Sequence, residues 1–190
     1  PKAERITSRN APDTPTARAQ SADGDDGRII RIANLDWDGF ASDVDACMAC
    51  GLCRTRKKSV PGVGDIHAEW LFVGEAPGGE EDARGEPFVG QAGKLLDNML
   101  AALRMKRGEN VYIANVLKCR PPENRNPLPH DIAAYSPYLM RQLEALHRRV
   151  TRSLGTIAAA LLRQLTGTSI RIRRRPHPCG RPHLISPSRT

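Results

Sequence analysis

Two short apolar runs give the clearest pattern along the chain. Trp70 to Val73 is a continuous apolar run that ends in Gly74, and Val111 to Val116 is a second run of the same kind. Runs of this length are typical of strands buried on both faces of a parallel sheet. We therefore predict two neighbouring parallel strands with a connection of about forty residues between them.

The connection and its surroundings carry helical periodicity. A helix of roughly three turns is predicted from Ala92. Its apolar face comprises Leu95, Leu96, Met99, Leu100 and Leu103. A short helix is predicted before Cys47, with Phe40 and Val44 on one face, and another from about Asp131 to Leu146. This order predicts an α/β fold, a three-layer α/β/α sandwich with a central parallel sheet, whose ligands bind in the loops at the carboxyl ends of the strands.

Composition divides the chain into three segments. Residues 1–34 are rich in Ala, Pro, Arg, Ser and Asp without apolar periodicity, which predicts a disordered leader. Residues 35–170 hold the predicted domain, and residues 171–190 form a basic, divergent tail. Residues 147–154 include three arginines, which do not fit a strand buried on both faces.

Charge is distributed unevenly. The net charge is +8, but residues 141–190 contain eleven arginines and one acid, so this segment carries +10 and the remainder about −2. A basic segment favours nucleic acid as a partner, and a cationic end without a specific ligand is the alternative. No apolar run approaches the roughly 20 residues of a membrane span, and no secretion signal is present. We expect a cytoplasmic monomer that does not contact membranes.

The two strand-end loops hold the unusual residues. The first runs from Gly74 to Gly93 and is rich in glycine, which suits backbone brought close to a ligand and leaves the ring of Phe88 accessible between glycines. A core position for Phe88 is the alternative. Asn115 ends the second strand, where an amide needs a hydrogen-bond partner; it either binds a ligand or caps the loop.

Five cysteines without a secretion signal favour metal ligation or reactive thiols over disulfides. Cys47, Cys50 and Cys53 are clustered, and Cys119 follows the second strand. These spacings alone do not separate an iron-sulfur cluster from a zinc site.

Taken together, four stretches resemble the iron-sulfur uracil-DNA glycosylases known as family 4. They are Cys47 to Cys50, Gly74 to Asp82, Glu86 to Leu96, and Val111 to Arg125 with Pro127. The agreement in order and spacing runs from about residue 47 to residue 146. The resemblance implies an enzyme of base-excision repair that hydrolyses the bond between uracil and deoxyribose in single- or double-stranded DNA and leaves an abasic site.

The resemblance also implies roles for individual residues. Phe88 would stack on the flipped uracil, and Asn115 would select it, because its amide accepts from N3–H and donates to O4. Glu75 and the backbone at Ala76 would lie beside the sugar and the base O2, where a carboxylate stabilises oxocarbenium-like charge. Glu81 would line the pocket near uracil C5 and exclude the thymine methyl. Glu75 and Asn115 are the implied catalytic residues.

A [4Fe-4S] cluster is implied by the same resemblance. Cys47, Cys50 and Cys119 match three of its ligands, but Tyr135 stands where the family has the fourth cysteine. A tyrosine is a poor ligand for this soft cluster, so Cys53 or an outside ligand replaces it, or the cluster is labile or incomplete. A zinc site of Cys47, Cys50, Cys53 and Cys119 is the alternative.

The C-terminal part departs from the family and predicts a degraded or truncated end. The family's final histidine motif, which donates to uracil O2, is absent, and His183 to Arg189 is a distant echo of it. Loss of such a donor typically costs roughly 3 to 4 kcal/mol of transition-state stabilisation, so weak activity is expected. A DNA-binding member of the fold without turnover and a structural metal-binding domain are the alternatives.

Overall fold

The computed structural model describes residues 22–146 and 150–167. The strands are Val63–Gly64 (β1), Trp70–Gly74 (β2), Val111–Asn115 (β3) and Val150–Ser153 (β4). The helices are Ala22–Ala33 (α1), Trp37–Ala46 (α2), Gly79–Arg84 (α3), Gln91–Ala102 (α4), Pro129–Ala145 (α5) and Thr156–Thr166 (α6). Short 3-10 turns occur at Gly51–Arg54 and Pro122–Asn124. Both predicted strands and the three predicted helices are confirmed.

The strands form one sheet in the order β1-β3-β2-β4. β2 runs parallel to β3, as predicted, and also parallel to β4, which was not predicted, while β1 pairs antiparallel with β3. The sequence analysis did not predict β1, because two residues beside Gly62 are too few to show a period.

Helices cover both faces of the sheet. Phe72 and Ile113 pack with Leu96 and Leu100 of α4 on one face, whereas the apolar side chains of α2, α5 and α6 pack together on the other. The connection from β2 to β3 and the connection from β3 to β4 run in opposite directions across the sheet. Right-handed crossovers therefore place α4 and α5 on opposite faces, which opens a crevice at the carboxyl ends of β2 and β3.

Two expectations from the sequence need correction: the extent of the leader and the absence of a strand after α5. The leader predicted for residues 1–34 includes α1, where Ile32 is fully buried and the Arg28 guanidinium donates to Ala134 O at 2.6 Å. Residues 1–21 and 171–190 lie outside the described residues.

The arginine-rich segment after α5 contains a strand, β4, which was not predicted. It lies at the sheet edge in the described part of the chain, so Arg152 is exposed and need not be buried on both faces.

The apolar face of α4 is narrower than predicted. Leu96 and Leu100 are buried, but Leu95, Met99 and Leu103 are 62%, 51% and 62% exposed.

Within the described residues, no helix is both long enough and apolar enough to span a membrane.

Candidate active site

The candidate site lies where β2 and β3 end side by side. Gly74 and Asn115 are register partners at the carboxyl ends of these strands, and the Asn115 side chain is almost fully buried. A Cβ built at Gly74 would meet both Asn115 Oδ1 and the ring of Phe88, whose Cζ would lie 2.5 Å away. The missing side chain at Gly74 therefore lets the amide and the aromatic ring approach the same point.

The Phe88 side chain packs partly against the core and is partly exposed. Its half-buried ring packs against the cluster of Phe72, Leu96 and Ile113. Its backbone has φ of +56°, a left-handed conformation that is uncommon outside glycine. Gly93 allows this turn, because a Cβ at that position would collide with Phe88 O. Both readings of Phe88 from the sequence are therefore compatible with its place.

Glu81 holds the turn that carries Phe88. Its Oε1 accepts from the backbone N–H groups of Val89 and Gly90, both at 3.0 Å, and its Oε2 accepts from Gly78 N at 3.1 Å. Burial raises the pKa of the Glu81 carboxyl, but these N–H groups outweigh it and hold the pKa below its ordinary value. An ionised Glu81 thus fixes the loop on which the aromatic ring stands.

Glu75 is the first residue after β2 and joins the strand ends to α6. Its Oε1 accepts from Ile157 N at 3.0 Å, in the first turn of α6, and Gly155 leaves room for the carboxylate. Its backbone oxygen accepts from Leu117 N at 3.0 Å, next to the end of β3. The neighbouring Ala76 is half-buried against the core. Glu75, Ala76 and Asn115 thus lie around the same end of the sheet.

Lys118 was not identified from the sequence as a site residue. Its side chain is fully buried, and its Nζ donates to Asn115 O at 2.7 Å and to Gln142 Oε1 at 2.6 Å. Burial lowers the pKa of Lys118 to about 7. The available signal was a lysine that directly follows the apolar run ending in Leu117, where a charged residue needs dedicated partners.

Cys47, Cys50 and Cys119 lie against tyrosines of α5. Cys50 Sγ donates to Tyr135 Oη at 3.5 Å, and Tyr135 also forms a hydrogen bond with Cys119. Tyr135, which stands at the expected fourth ligand position, is fully buried. Burial and the two thiols raise the pKa of Tyr135 far above its ordinary value, so it is a neutral phenol. Three of the predicted ligand positions are thus gathered near each other.

Arginines approach two of these sulfurs. The Arg56 guanidinium donates to Cys119 Sγ at 2.8 Å, and that of Arg28 to Cys47 Sγ at 3.8 Å. Burial raises the pKa of Cys47, but hydrogen bonds from Ala49 N–H, Tyr138 and Arg28 bring it below the ordinary value. Burial keeps the pKa of Cys119 raised despite the hydrogen bonds from Tyr135 and Arg56. The Arg28 guanidinium thus helps to favour the thiolate form of Cys47, the form that a metal requires, whereas burial outweighs Arg56 at Cys119.

Cys53 is directed elsewhere. Its Sγ donates to Cys50 O at 3.1 Å, within the turn that follows Cys50. Across residues 22–146 and 150–167, no three His, Cys, Asp or Glu side chains converge closely enough to hold a single metal ion.

Comparison with known proteins defines the class. The family model of the uracil DNA glycosylase superfamily matches residues 61–188. The chain therefore belongs to the uracil DNA glycosylase superfamily. The matched stretch contains the whole candidate site from Gly74 to Asn115, and it extends past residue 171, where the sequence analysis placed the start of a divergent tail.

Individual relatives narrow the similarity. A type-4 uracil-DNA glycosylase of Archaeoglobus fulgidus is 51% identical over 125 residues, covering 66% of this chain and 62% of the relative. The type-4 enzyme of Saccharolobus solfataricus is 45% identical over 129 residues, covering 68% and 59%. A type-5 uracil-DNA glycosylase of Thermus thermophilus is 34% identical over 159 residues, covering 67% and 72%. The resemblance to family 4 is confirmed, and the chain spans about six tenths of the length of these type-4 relatives.

Proposed function

We propose that this chain is a uracil-DNA glycosylase that hydrolyses the N-glycosidic bond of a flipped-out deoxyuridine. The observation that carries the proposal is the meeting of the Phe88 ring and the Asn115 amide over Gly74. One aromatic face and one amide edge at the end of a sheet suit a planar base that must be stacked and read by its hydrogen-bonding edge. The names of the relatives support uracil as that base.

Base selection follows from the chemistry of the amide. Asn115 Oδ1 accepts from uracil N3–H, and its NH₂ group donates to O4, whereas cytosine presents the reverse pattern on these two positions. The Asn115 backbone is fixed because Lys118 Nζ donates to its carbonyl and the residue pairs with Gly74 of β2, and the residue is almost fully buried. Glu81, held by three backbone N–H groups, lies beneath the Phe88 turn and limits space near uracil C5.

Bond cleavage requires charge stabilisation on both sides of the breaking bond. The sugar gains positive charge as the base leaves, and the Glu75 carboxylate stands at the strand end where it stabilises that charge and orients the attacking water. The backbone around Ala76 faces the base O2. Water supplies the hydroxyl that ends on the sugar C1′, and its proton balances the uracil anion, so an abasic site and neutral uracil result.

We further propose that Cys47, Cys50 and Cys119 hold an iron-sulfur cluster. Support comes from the two thiols that bind Tyr135 and from the guanidinium groups beside Cys119 and Cys47. Cys47 and Cys50 after α2 and Cys119 after β3 would hold the cluster, which would link these two segments of the chain. The cysteines at 47, 50, 53 and 119 are free thiols, which fits a reducing compartment such as the cytoplasm.

The decisive experiment is uracil release from DNA. The full chain, purified without oxygen, is mixed in excess with labelled single-stranded and duplex oligonucleotides that contain one deoxyuridine, and abasic sites are counted after alkaline cleavage. We expect abasic sites at deoxyuridine and none at deoxycytidine or thymidine in matched oligonucleotides. Binding of the oligonucleotide without release of uracil would select the DNA-binding alternative instead. The absence of both binding and release would contradict the proposal. Size-exclusion chromatography in the same buffer tests the expected monomer.

A further inference from the structure

The turn at Phe88 is a strained segment, and its backbone N–H groups and its carbonyl groups are held by different partners. A non-glycine residue with φ of +56° is held there only when its surroundings over-determine it. Glu81 restrains the N–H side, through Val89 and Gly90. The carbonyl side, at Pro87 and Phe88, needs donors of its own.

Arg107 supplies those donors. Its Nη1 donates to Pro87 O at 2.9 Å and its Nη2 donates to Phe88 O at 2.9 Å, so one planar guanidinium spans two successive carbonyls. The Arg107 side chain is 23% exposed and reaches this turn from the connection between α4 and β3. A guanidinium has the rigid fork that matches two adjacent acceptors, whereas a lysine ammonium does not.

Asp97 of α4 orients the guanidinium. Its Oδ1 accepts from Arg107 Nε at 3.1 Å and from Nη2 at 2.8 Å. The Asp97 side chain is 52% exposed, and an ion pair with such an exposed member contributes little stability by itself. Its effect is therefore on the direction of the guanidinium toward the two carbonyls.

We propose that Arg107 is a positioning residue that sets the Phe88 ring beside Asn115 by binding the Pro87 and Phe88 carbonyls. The inference rests on the proposed function, because it assigns Arg107 to the base-stacking group of that site. Without the guanidinium, the Phe88 carbonyl loses its donors and the backbone relaxes toward negative φ. The ring then leaves its place over Gly74, and a misplacement of about 1 Å in such a site costs on the order of a hundredfold in rate.

The first test is independent of activity. Nuclear magnetic resonance of the isotope-labelled full chain measures the sign of φ at Phe88 from backbone couplings in wild type, Arg107→Met, Arg107→Lys and Lys106→Met. Lys106 is the matched control, since it is adjacent, 74% exposed and pairs only with Glu109 among the described contacts. We expect positive φ in wild type and Lys106→Met, and negative φ in Arg107→Met. Positive φ at Phe88 in Arg107→Met would overturn the inference.

The second test is a double-mutant cycle on uracil release. Arg107→Met should lower single-turnover release roughly 10- to 100-fold, Arg107→Lys should lower it less, and Lys106→Met should match wild type. In the Phe88→Ala background, Arg107→Met should cause no further loss, because the residue acts through Phe88. The same loss in both backgrounds would indicate a general structural role and overturn the inference. If wild type releases no uracil, the proposed function fails, and the sign of φ decides the Arg107 inference alone.

Discussion

The candidate active site around Gly74, Phe88 and Asn115 and the cysteine region hold their polar groups in different ways. In the candidate active site, backbone atoms hold the carboxylates and the strand end: three N–H groups bind Glu81, Ile157 N binds Glu75, and β2 pairs with the Asn115 backbone. The long side chains there, Arg107 and Lys118, bind backbone carbonyls. In the cysteine region, long side chains hold the thiols: Arg56 reaches Cys119, Arg28 reaches Cys47, and Tyr135 lies between two thiols.

This difference indicates which region takes its final arrangement without a bound cofactor. Backbone partners are fixed by the sheet and the helix ends, so the candidate active site forms as soon as the chain folds. Side-chain partners have rotamer freedom, and a bound cluster can displace them. We therefore expect substitutions in the candidate active site to change catalysis directly, and substitutions around the cysteines to act on cofactor retention first.

The largest effect is expected at Asn115. Asn115→Asp keeps the shape of the side chain but replaces the donor to uracil O4 with a second acceptor that repels the developing charge. Single-turnover release of uracil should fall by at least about a hundredfold, the usual cost of one such donor. Iron content should be unchanged, and an excision rate equal to wild type would remove Asn115 from the site.

Gly93→Ala tests whether the Phe88 turn depends on close backbone contact. The new Cβ would collide with Phe88 O. We expect a loss of about 1–3 kcal/mol in the free energy of unfolding, the usual cost of forced overpacking, together with slower uracil release. Urea titration measures the first quantity.

Gly27→Ala is the matched control for that substitution. Gly27 lies in α1, and a Cβ there has no neighbour within 4 Å among the described residues. Alanine at this exposed helical position should stabilise the chain by about 0.5–1 kcal/mol. A loss in Gly27→Ala similar to that in Gly93→Ala would contradict the role of the close contact.

In the cysteine region, Tyr135→Cys is expected to improve cofactor retention. A thiolate at this position restores the ligand that iron prefers. Visible absorbance and bound iron of anaerobically purified protein should then decay several-fold more slowly in air than in wild type. Cys53→Ser should leave the decay unchanged, because the Cys53 thiol is bound to Cys50 O.

The opposite pair of results would reassign the fourth ligand. Loss of the chromophore in Cys53→Ser, with no change in Tyr135→Cys, would show that Cys53 binds the cluster. Stoichiometric zinc without iron, in protein made and purified without oxygen, would contradict the cluster itself.

The smallest effect is a pH dependence from Glu81. Backbone N–H groups hold the pKa of this carboxyl below its ordinary value, so its contribution to stability is present above the unfolded pKa and is lost as pH falls through the folded pKa. The difference in unfolding free energy between wild type and Glu81→Gln should therefore shrink between about pH 6 and pH 3, since the unfolded pKa of a glutamate is about 4.3. A difference that grows toward low pH would contradict the assigned contacts.

Much of the fold could be predicted because its strands are continuous apolar runs. Trp70 to Val73 and Val111 to Val116 have the composition of buried strands, and both were placed correctly. α1 was missed because it buries Ile32 but leaves Ile29 and Ile30 exposed, so no apolar face shows in its sequence. β4 was missed because a strand at the edge tolerates Arg152.

The sequence singles out candidate residues for the site but not the contacts that hold them. Gly74 and Asn115 stand out at the ends of apolar runs, and parallel strands bring these two residues side by side. Phe88 stands out between the glycines of the first loop. Arg107 and Asp97 do not stand out, since charged residues beside a helix end are usually solvated. Only the tertiary fold brings Arg107 to the Pro87 and Phe88 carbonyls.

The central claim is that Phe88 and Asn115 together recognise a uracil base. Nuclear magnetic resonance with a DNA strand that resists cleavage tests this claim most directly. A single-stranded oligonucleotide with 2′-fluoro-2′-deoxyuridine resists cleavage, because fluorine disfavours positive charge on the sugar. Added to the isotope-labelled full chain, it should shift the Phe88 ring and Asn115 side-chain amide resonances, while the matched 2′-fluoro-2′-deoxycytidine oligonucleotide should leave them in place. Equal shifts with both oligonucleotides, or shifts that spare Phe88 and Asn115, would contradict the account.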